Sequence, residues 1–193
     1  LDAGAPSLVL SESSSKHIIQ VLRMKIGERL QLTDGKGILL TAEITNDHKK
    51  NCVVNKINIE KTPEPQKLIT IAISLVKNAT RFEWFLEKAT EIGVTTIIPL
   101  LCHRTEKQHF RYDRMKGILI SAMLQSHQTW LPELLEPIAF EKVVLGNQSE
   151  SKFIAHCESD DNKNPLIKIS KSSSSIILIG PEGDFTAAEI EQA

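Results

Sequence analysis

The sequence predicts an α/β protein in two parts, a small β-rich module followed by a domain with a mostly parallel sheet covered by helices. Three observations support this prediction. Short alternating strands separated by turn residues fill residues 1–60. Strands and helices alternate from residue 68 onward, which is typical of parallel α/β folds. Residues 61–67 contain two prolines and no apolar side chain, and therefore predict a domain boundary.

The composition narrows the class of protein. The chain has 193 residues, 41% of them hydrophobic and 24% charged, with a formal net charge of −1. This profile is that of an ordinary globular protein with one large or two modest domains. No membrane-length apolar run or leader is visible, so we expect a cytoplasmic protein without a membrane partner. Cys52, Cys102 and Cys157 lie far apart, and the six histidines lack ligand spacing, so neither disulfides nor a metal site are predicted.

The first module is predicted to contain one helix and several short strands. The helix starts at 13–16 and carries apolar residues up to Leu22, with Gly27 as a stop. Residues 29–44 alternate in polarity around an Asp-Gly-Lys-Gly turn, which predicts a hairpin. Residues 52–59 alternate again, as expected for a small barrel.

The second domain is predicted from alternating apolar strands and amphipathic helices. Gly93 supplies a C-terminal stop for the first helix. The polar residues 158–164 and the serines 172–175 are predicted loops. The predicted elements are the strand 68–75, the helix 81–92, the strand 95–101, the helix 112–126 and the strand 152–157.

A glycine-containing loop follows the last predicted strand. Residues 176–179 are four aliphatics that predict a buried strand, and residues 180–183 (GPEG) break it. Thr186 and Glu189 form a capping box that starts a helix. Open α/β folds bind ligands where a strand ends in such a loop before a helix, although an ordinary turn is the alternative. No Lys-Ser/Thr follows, so a phosphate-binding P-loop is not predicted.

Five motifs, in their order and spacing, carry a resemblance to one family. They are residues 17–27 (HIIQVLRMKIG), 34–37 (DGKG), 87–93 (EKATEIG), Gln125-Ser126 with Leu131-Pro132, and 179–183 (IGPEG). Together they resemble the RsmE-type small-subunit ribosomal RNA methyltransferases of the SPOUT superfamily. Those enzymes methylate N3 of a uridine in 16S ribosomal RNA and have a knotted fold. The resemblance spans nearly the whole chain.

The resemblance implies specific domains, a cofactor and partners. It implies a PUA-like RNA-binding β-barrel at 1–66 and a SPOUT α/β domain with a C-terminal trefoil knot at 67–193. It also implies a homodimer that acts on 16S ribosomal RNA in the small ribosomal subunit with S-adenosyl-L-methionine. In the cofactor site, Gly183 would allow close approach of the ligand. The implied cofactor-binding residues are Ile179, Gly180, Pro181, Glu182 and Gly183.

The sequence departs from the family pattern in two places. Asp184 stands where the family usually has a second glycine, so we expect the loop conformation or the ligand contact to differ. The family's Leu-Gly-x-Arg-Ile-Leu-Arg-x-Glu-Thr-Ala segment, which threads the knot and completes the cofactor pocket, is absent from this sequence. We therefore expect a C-terminally truncated SPOUT domain with an incomplete knot.

The implied reaction directs attention to acids, bases and cations. Methylating N3 of uracil removes an imide proton and builds charge near O2 and O4, so a base and a cation would assist. The candidate catalytic residues are Glu91, on the polar face of the predicted helix 81–92, and Arg104, at the carboxyl end of a predicted strand. A solvated surface is the equal alternative for Glu91. Glu182 is favoured as structural, and water or a group outside this sequence is the other candidate base.

Basic residues suggest where RNA would bind. Arg104, Arg111 and Arg114 form one local basic group, and Arg23 and Lys25 lie in the first module. Phosphate contact and ordinary solvated surface are both open for these residues. The RNA target base must be unstacked to expose its Watson–Crick edge.

Two rival functions stay open. The chain could be an RNA-binding protein without methyltransferase activity, or a small-molecule α/β enzyme that uses the glycine loop for a nucleotide. Binding of S-adenosylmethionine separates the first rival from a methyltransferase. The methyltransferase hypothesis is preferred because it accounts for both parts of the chain.

Overall fold

A computed structural model describes residues 5–106, 109–158, 166 and 172–193. The chain divides into two compact units, of which the first ends at Glu64 and the second begins at Pro65. Most of the predicted loop at 158–164 lies outside the described residues.

The first unit is an antiparallel sheet of four strands with a short helix. The sheet order is β1-β4-β3-β2, and the predicted hairpin is confirmed by the pairing of Leu32 with Leu40. Its elements are β1 (Ser7–Val9), α1 (Glu12–Lys16), β2 (Arg29–Thr33), β3 (Ile38–Asn46) and β4 (Val53–Lys61).

The helix of the first unit is shorter than predicted. After α1 the backbone widens into a π-helical turn at His17–Val21, in which the Leu22 N–H donates to the His17 carbonyl. Arg23 then adopts a left-handed φ of +58°, which ends the helix before Gly27. Gly27, with φ +87°, instead forms the turn into β2.

The core of the first unit follows the two-residue period of its strands. Leu40, Ala42 and Ile44 are buried on β3, and Val54 is buried on β4. Ile18, from the π-helical turn, packs against the same cluster. This alternation is the pattern by which a sheet buries one face.

The second unit has a six-stranded parallel sheet with helices on both faces. The order is β7-β6-β5-β10-β9, and β8 also pairs with β6. The elements are β5 (Leu68–Ser74), α2 (Ala79–Glu91), β6 (Thr96–Leu101), α3 (Tyr112–Gln125), β7 (Glu133–Leu134), β8 (Ile138–Ala139), α4 (Phe140–Gly146), β9 (Ser151–Ala155), β10 (Ser174–Ile179) and α5 (Ala187–Gln192).

Two apolar layers cover the sheet. Leu86 and Leu119, from α2 and α3, pack on one face, and Phe140 from α4 packs on the other. Adjacent residues of β6, Ile97 and Ile98, belong to different layers, so this strand is buried on both faces as its continuous apolar sequence predicts.

The position of β10 determines where a site can form. Its Ile177 pairs with Ile71 of β5 and with Phe153 of β9, and all three strands run parallel. The strands β5, β6, β9 and β10 therefore end at one side of the sheet, which we call the carboxyl edge. The predicted glycine loop follows β10 at this edge.

Candidate cofactor and RNA site

The glycine loop (residues 180–185) has a tightly packed start. A Cβ at Gly180 would lie 3.1 Å from two ring atoms of Phe185 and 3.3 Å from its backbone nitrogen. Phe185 is itself buried, so it cannot move outward without exposing apolar surface. Gly180 is therefore required by the packing of the loop upon itself.

The strained backbone of the loop lies at Asp184. Its φ is +61°, and its N–H donates to the Pro181 carbonyl at 3.0 Å to close a turn. Neither Gly180 nor Gly183 is among the residues with positive φ. An added Cβ at Gly183 would make only ordinary contact, at 3.5 Å, with the aliphatic part of Arg104. The chain alone therefore does not explain why residue 183 is a glycine.

Glu182 ties the loop to the end of β5. Its Oε1 accepts a hydrogen bond from the Lys77 N–H at 3.0 Å. The Lys77 side chain pairs with Glu106 at 2.8 Å, and this hydrogen-bonded pair raises the pKa of Lys77. A structural role for Glu182, as favoured from the sequence, agrees with this contact.

Arg104 ties the loop to the end of β6. Its Nη1 donates to the Gly183 carbonyl at 2.7 Å and to the Phe185 carbonyl at 3.2 Å. The side chain is exposed, so a cation stands beside the loop where solvent and ligands can reach it. The contact with Gly183 links Arg104 to the stretch that sequence reasoning assigned to the cofactor.

Asp184 ties the loop to the end of β9. Its Oδ2 accepts from the Cys157 N–H at 2.7 Å, and its Oδ1 accepts from the Phe185 N–H at 2.8 Å. The bond from Cys157 is the main reason that the pKa of Asp184 lies below its ordinary value. The sequence identified Asp184 as a departure from the family but gave no sign of this link, because it depends on β9 lying next to β10.

A capping box starts α5 and joins it to the carboxyl edge. The Glu189 carboxylate accepts from the Thr186 N–H and hydroxyl, as predicted, and from the His103 N–H at 2.8 Å. Burial raises the pKa of Glu189, but these hydrogen bonds outweigh burial and hold it below its ordinary value. A cavity of about 330 Å³ adjoins this helix, and His103, Phe140 and Gln192 are among its lining residues.

Two buried hydroxyl groups form hydrogen bonds between the ends of β5 and β6. The Ser74 and Thr105 hydroxyls lie 2.7 Å apart, and Thr105 Oγ1 accepts from the Cys102 N–H at 2.8 Å. Burial raises the pKa of the Cys102 thiol to about 12, so this thiol is protonated at neutral pH and is a poor nucleophile. Sequence reasoning missed this cluster, since isolated Ser and Thr residues carry no periodic signal.

The structure does not bring Glu91 to the glycine loop. Glu91 is the last residue of α2, a helix of 13 residues that starts at the carboxyl edge and so ends about 20 Å away. Its carboxylate pairs with Lys88 at 2.9 Å. It also lines a groove of about 580 Å³ between α2 and α3, together with Arg114 and Gln125.

The predicted RNA-binding arginines of the second unit lie near the carboxyl edge. Arg104 follows β6, and Arg111 is the exposed residue before α3. Arg114, in the first turns of α3, forms two hydrogen bonds to Glu83, at 2.7 and 3.0 Å, and this pairing raises its pKa. Arg114 is therefore partly neutralised.

The two predicted RNA-binding residues of the first unit are both exposed. Arg23 and Lys25 follow the π-helical turn.

Within the described part of the chain, no group of three or more His, Cys, Asp or Glu residues could hold a metal ion. Over the same residues, no helix is long and apolar enough to cross a membrane.

Comparisons with known proteins agree on one family. A family model described as an RNA methyltransferase domain matches residues 62–193, and one described as an RNA methyltransferase PUA domain matches residues 10–57. The chain is 28% identical over 182 residues to the ribosomal RNA small subunit methyltransferase E of Rickettsia conorii. The aligned region covers 94% of this chain and 74% of that protein.

Solved structures give the same result. A probable rRNA-methyltransferase from Porphyromonas gingivalis is similar with a TM-score of 0.87 and 33% identity, over 95% of this chain and 79% of that one. A ribosomal RNA small subunit methyltransferase E from Neisseria gonorrhoeae, bound to S-adenosyl methionine, is similar with a TM-score of 0.85 and 28% identity. That match covers 100% of this chain and 81% of the other.

Proposed function

This chain belongs to the RNA methyltransferase family, and from that membership we propose that it transfers the methyl group of S-adenosyl-L-methionine to a uridine of 16S ribosomal RNA. The ribosomal RNA substrate and the cofactor are supported by the Rickettsia relative and by the Neisseria structure. The choice of N3 as the methylated atom rests on the five-motif resemblance.

The observation that carries the proposal is the anchoring of the glycine loop at three strand ends. Glu182, Arg104 and Asp184 each fix it to a different neighbour at the carboxyl edge. A loop held in this way presents its backbone groups without reorganisation, which lowers the cost of binding. Edges of this kind are where parallel α/β folds bind ligands.

The loop residues fit the cofactor. The residues proposed to hold it are Ile179, Gly180, Pro181, Glu182 and Gly183. Gly183 is exposed, and nothing in the described chain requires it to lack a side chain, so close approach of a flat ligand accounts for it. When bound, the cofactor supplies an electrophilic methyl group on a sulfonium.

Arg104 is the proposed catalytic cation. A guanidinium beside the loop would stabilise the negative charge that develops on uracil O2 or O4 as the N3 proton leaves. Asp184 and Glu189 are poor bases, because hydrogen bonds hold the pKa of each below its ordinary value. Glu91 stays a proposed catalytic residue with weaker support, because α2 carries it away from the loop.

RNA binding is proposed to involve both parts of the chain. Residues 1–66 would form the RNA-binding module, with Arg23 and Lys25 on phosphates, and residues 67–193 the methyltransferase domain. Arg104 and Arg111 would contact the RNA backbone near the cofactor. Arg114 would contribute less because of its pairing with Glu83.

The resemblance supplies the assembly state and setting. A homodimer is proposed on that basis alone. The substrate would be 16S ribosomal RNA within the small ribosomal subunit, which places the reaction in the cytoplasm.

The proposal is tested by methyl transfer from labelled cofactor. Assembled small subunits and naked 16S RNA are incubated with the protein, and labelled nucleosides are identified by mass spectrometry. We expect label on N3 of uridine and faster transfer to assembled subunits, since a folded target holds the base unstacked. If neither the assembled subunits nor the naked RNA were labelled, the methyltransferase function would be refuted. Equal rates of transfer to the two substrates would refute only the preference for subunits.

A further inference from the structure

A short loop of the first unit exposes large apolar side chains. In residues 21–26, Val21, Leu22 and Ile26 are exposed by 66%, 55% and 61%. Met24 alone among the apolar residues of this loop packs against the core of the first unit. Three exposed large apolar side chains within six residues make this loop a candidate contact site.

The same loop carries two cations. Arg23 and Lys25 are exposed, and neither side chain forms an ion pair with another residue that the structure describes. The Lys25 N–H donates to Glu28 Oε2, a bond that uses the backbone of Lys25 and leaves its ammonium in solvent. Apolar side chains and positive charges therefore alternate within six residues.

The backbone holds this loop in an unusual shape. The Leu22 N–H donates to the His17 carbonyl at 2.9 Å in the π-helical turn, and Arg23 has a left-handed φ of +58°. At the other end, the Gly27 N–H donates to the Ile44 carbonyl at 2.8 Å. π-helical turns and left-handed non-glycine residues are uncommon, and both concentrate at functional sites.

We propose that the loop of residues 21–26 binds unpaired nucleotides of the RNA substrate. Val21, Leu22 and Ile26 pack against exposed base faces, while Arg23 and Lys25 contact the flanking phosphates. This deepens the proposed function and rests on it, because the PUA match at residues 10–57 makes RNA the partner class.

Two arguments favour unpaired RNA over other occupants. In a duplex the base faces are stacked, so three apolar side chains would have nothing to pack against. In a two-fold interface centred on this loop, the copies of Arg23 and Lys25 would lie close to one another. That like-charge contact would oppose association.

The test compares two matched double variants of the full chain. Leu22→Ser with Ile26→Ser removes the apolar contact, and Ile57→Ser with Ile59→Ser is the control, since Ile57 and Ile59 are 46% and 49% exposed on β4. Binding to single-stranded and duplex RNA of equal length is measured over a range of salt concentrations. We expect the loop variant to bind single strands about tenfold more weakly, with an unchanged salt slope and unchanged duplex binding.

A charge variant completes the design. Arg23→Ala with Lys25→Ala should reduce the slope of log affinity against log salt by about 0.7 for each lost phosphate contact. Thermal melts verify that each variant is folded, and Leu22→Met with Ile26→Leu should restore binding if the apolar contact matters. The control variant should bind both RNAs as the wild type does.

Several outcomes would overturn the inference. Wild-type affinity of the loop variant for single strands would do so, as would an equal loss on duplex RNA or an equal loss in the control variant. A change in sedimentation mass with unchanged RNA binding would assign the loop to a contact between copies. Methyl transfer by the wild-type protein is measured in parallel. If the wild type transfers the methyl group but the loop variant binds RNA normally, only this inference is refuted. If the wild type transfers no methyl group, the proposed function is refuted.

Discussion

At the scale of single residues, the two glycines of the loop have different roles. Gly180 lacks a side chain because Phe185 folds back onto it. An added Cβ at Gly183 would meet only the aliphatic part of Arg104, so we propose that this glycine serves the approach of a ligand. Both glycines could be found in the sequence, but their roles could not be separated there, since the contact with Phe185 exists only once the turn has formed.

Alanine at each glycine should therefore affect a different property of the protein. Gly180→Ala places a Cβ 3.1 Å from the Phe185 ring, and we expect it to lower the free energy of unfolding by about 1–3 kcal/mol. Gly183→Ala should leave that free energy nearly unchanged and weaken S-adenosylmethionine binding about tenfold. Thermal melts and calorimetric titration of the cofactor measure the two effects. Wild-type cofactor affinity in Gly183→Ala would remove residue 183 from the proposed site.

Asp184 combines a strained backbone with two accepted hydrogen bonds. Asp184→Asn tolerates the left-handed backbone but cannot accept with both of its polar atoms, so we expect a loss of about 1 kcal/mol at neutral pH. The folded pKa of Asp184 is below its ordinary 3.8, so its contribution is present above pH 3.8 and is lost as pH falls through the folded pKa. Urea unfolding from pH 7 to pH 3 should show the stability difference between the two proteins begin to shrink below pH 3.8. A difference that does not shrink in acid would exclude the carboxylate as its cause.

At the scale of elements, long periodic segments were predicted closely and short ones were missed. The helices predicted at 81–92 and 112–126 are confirmed as α2 and α3, because an amphipathic face repeats over several turns. The two-residue strands β7 and β8, and the helix α4 after them, were not predicted. Segments this short have no period to detect, and the two strands form by pairing with β6.

The ends of α2 and α3 offer a matched pair of substitutions. Gly93 and His127 follow these helices with φ of +83° and +55°, and each is the left-handed residue of a C-terminal cap. His127→Gly should stabilise the protein by about 0.5–1 kcal/mol, as relief of left-handed strain exceeds the added chain entropy. Gly93→Ala should destabilise it by about 1 kcal/mol, although no atom lies within 4 Å of the new Cβ. Chemical denaturation measures both, and equal signs would contradict this account.

At the scale of the whole molecule, the sequence predicted the kinds of parts but not their arrangement. The change from alternating strands to strand-and-helix repeats across residues 61–67 predicts two parts from the sequence, the first ending at residue 66, whereas the structure divides after Glu64. The insertion of β10 between β5 and β9 could not be read in this way, since parallel strands of similar composition are compatible with many orders. The links from Lys77, Arg104 and Cys157 to the glycine loop all depend on that order.

The central place of β10 also sets an order of events during folding. In the first unit, β2, β3 and β4 pair with neighbours in the chain, whereas Ile177 of β10 must find Ile71 of β5 far upstream. Contacts between distant segments form slowly, so pulsed hydrogen exchange during refolding should protect β3 before β10. Simultaneous protection would contradict this sequence of events. Under the proposed function, a chain emerging from its ribosome would accordingly be able to bind RNA before the loop that follows β10 could bind a cofactor.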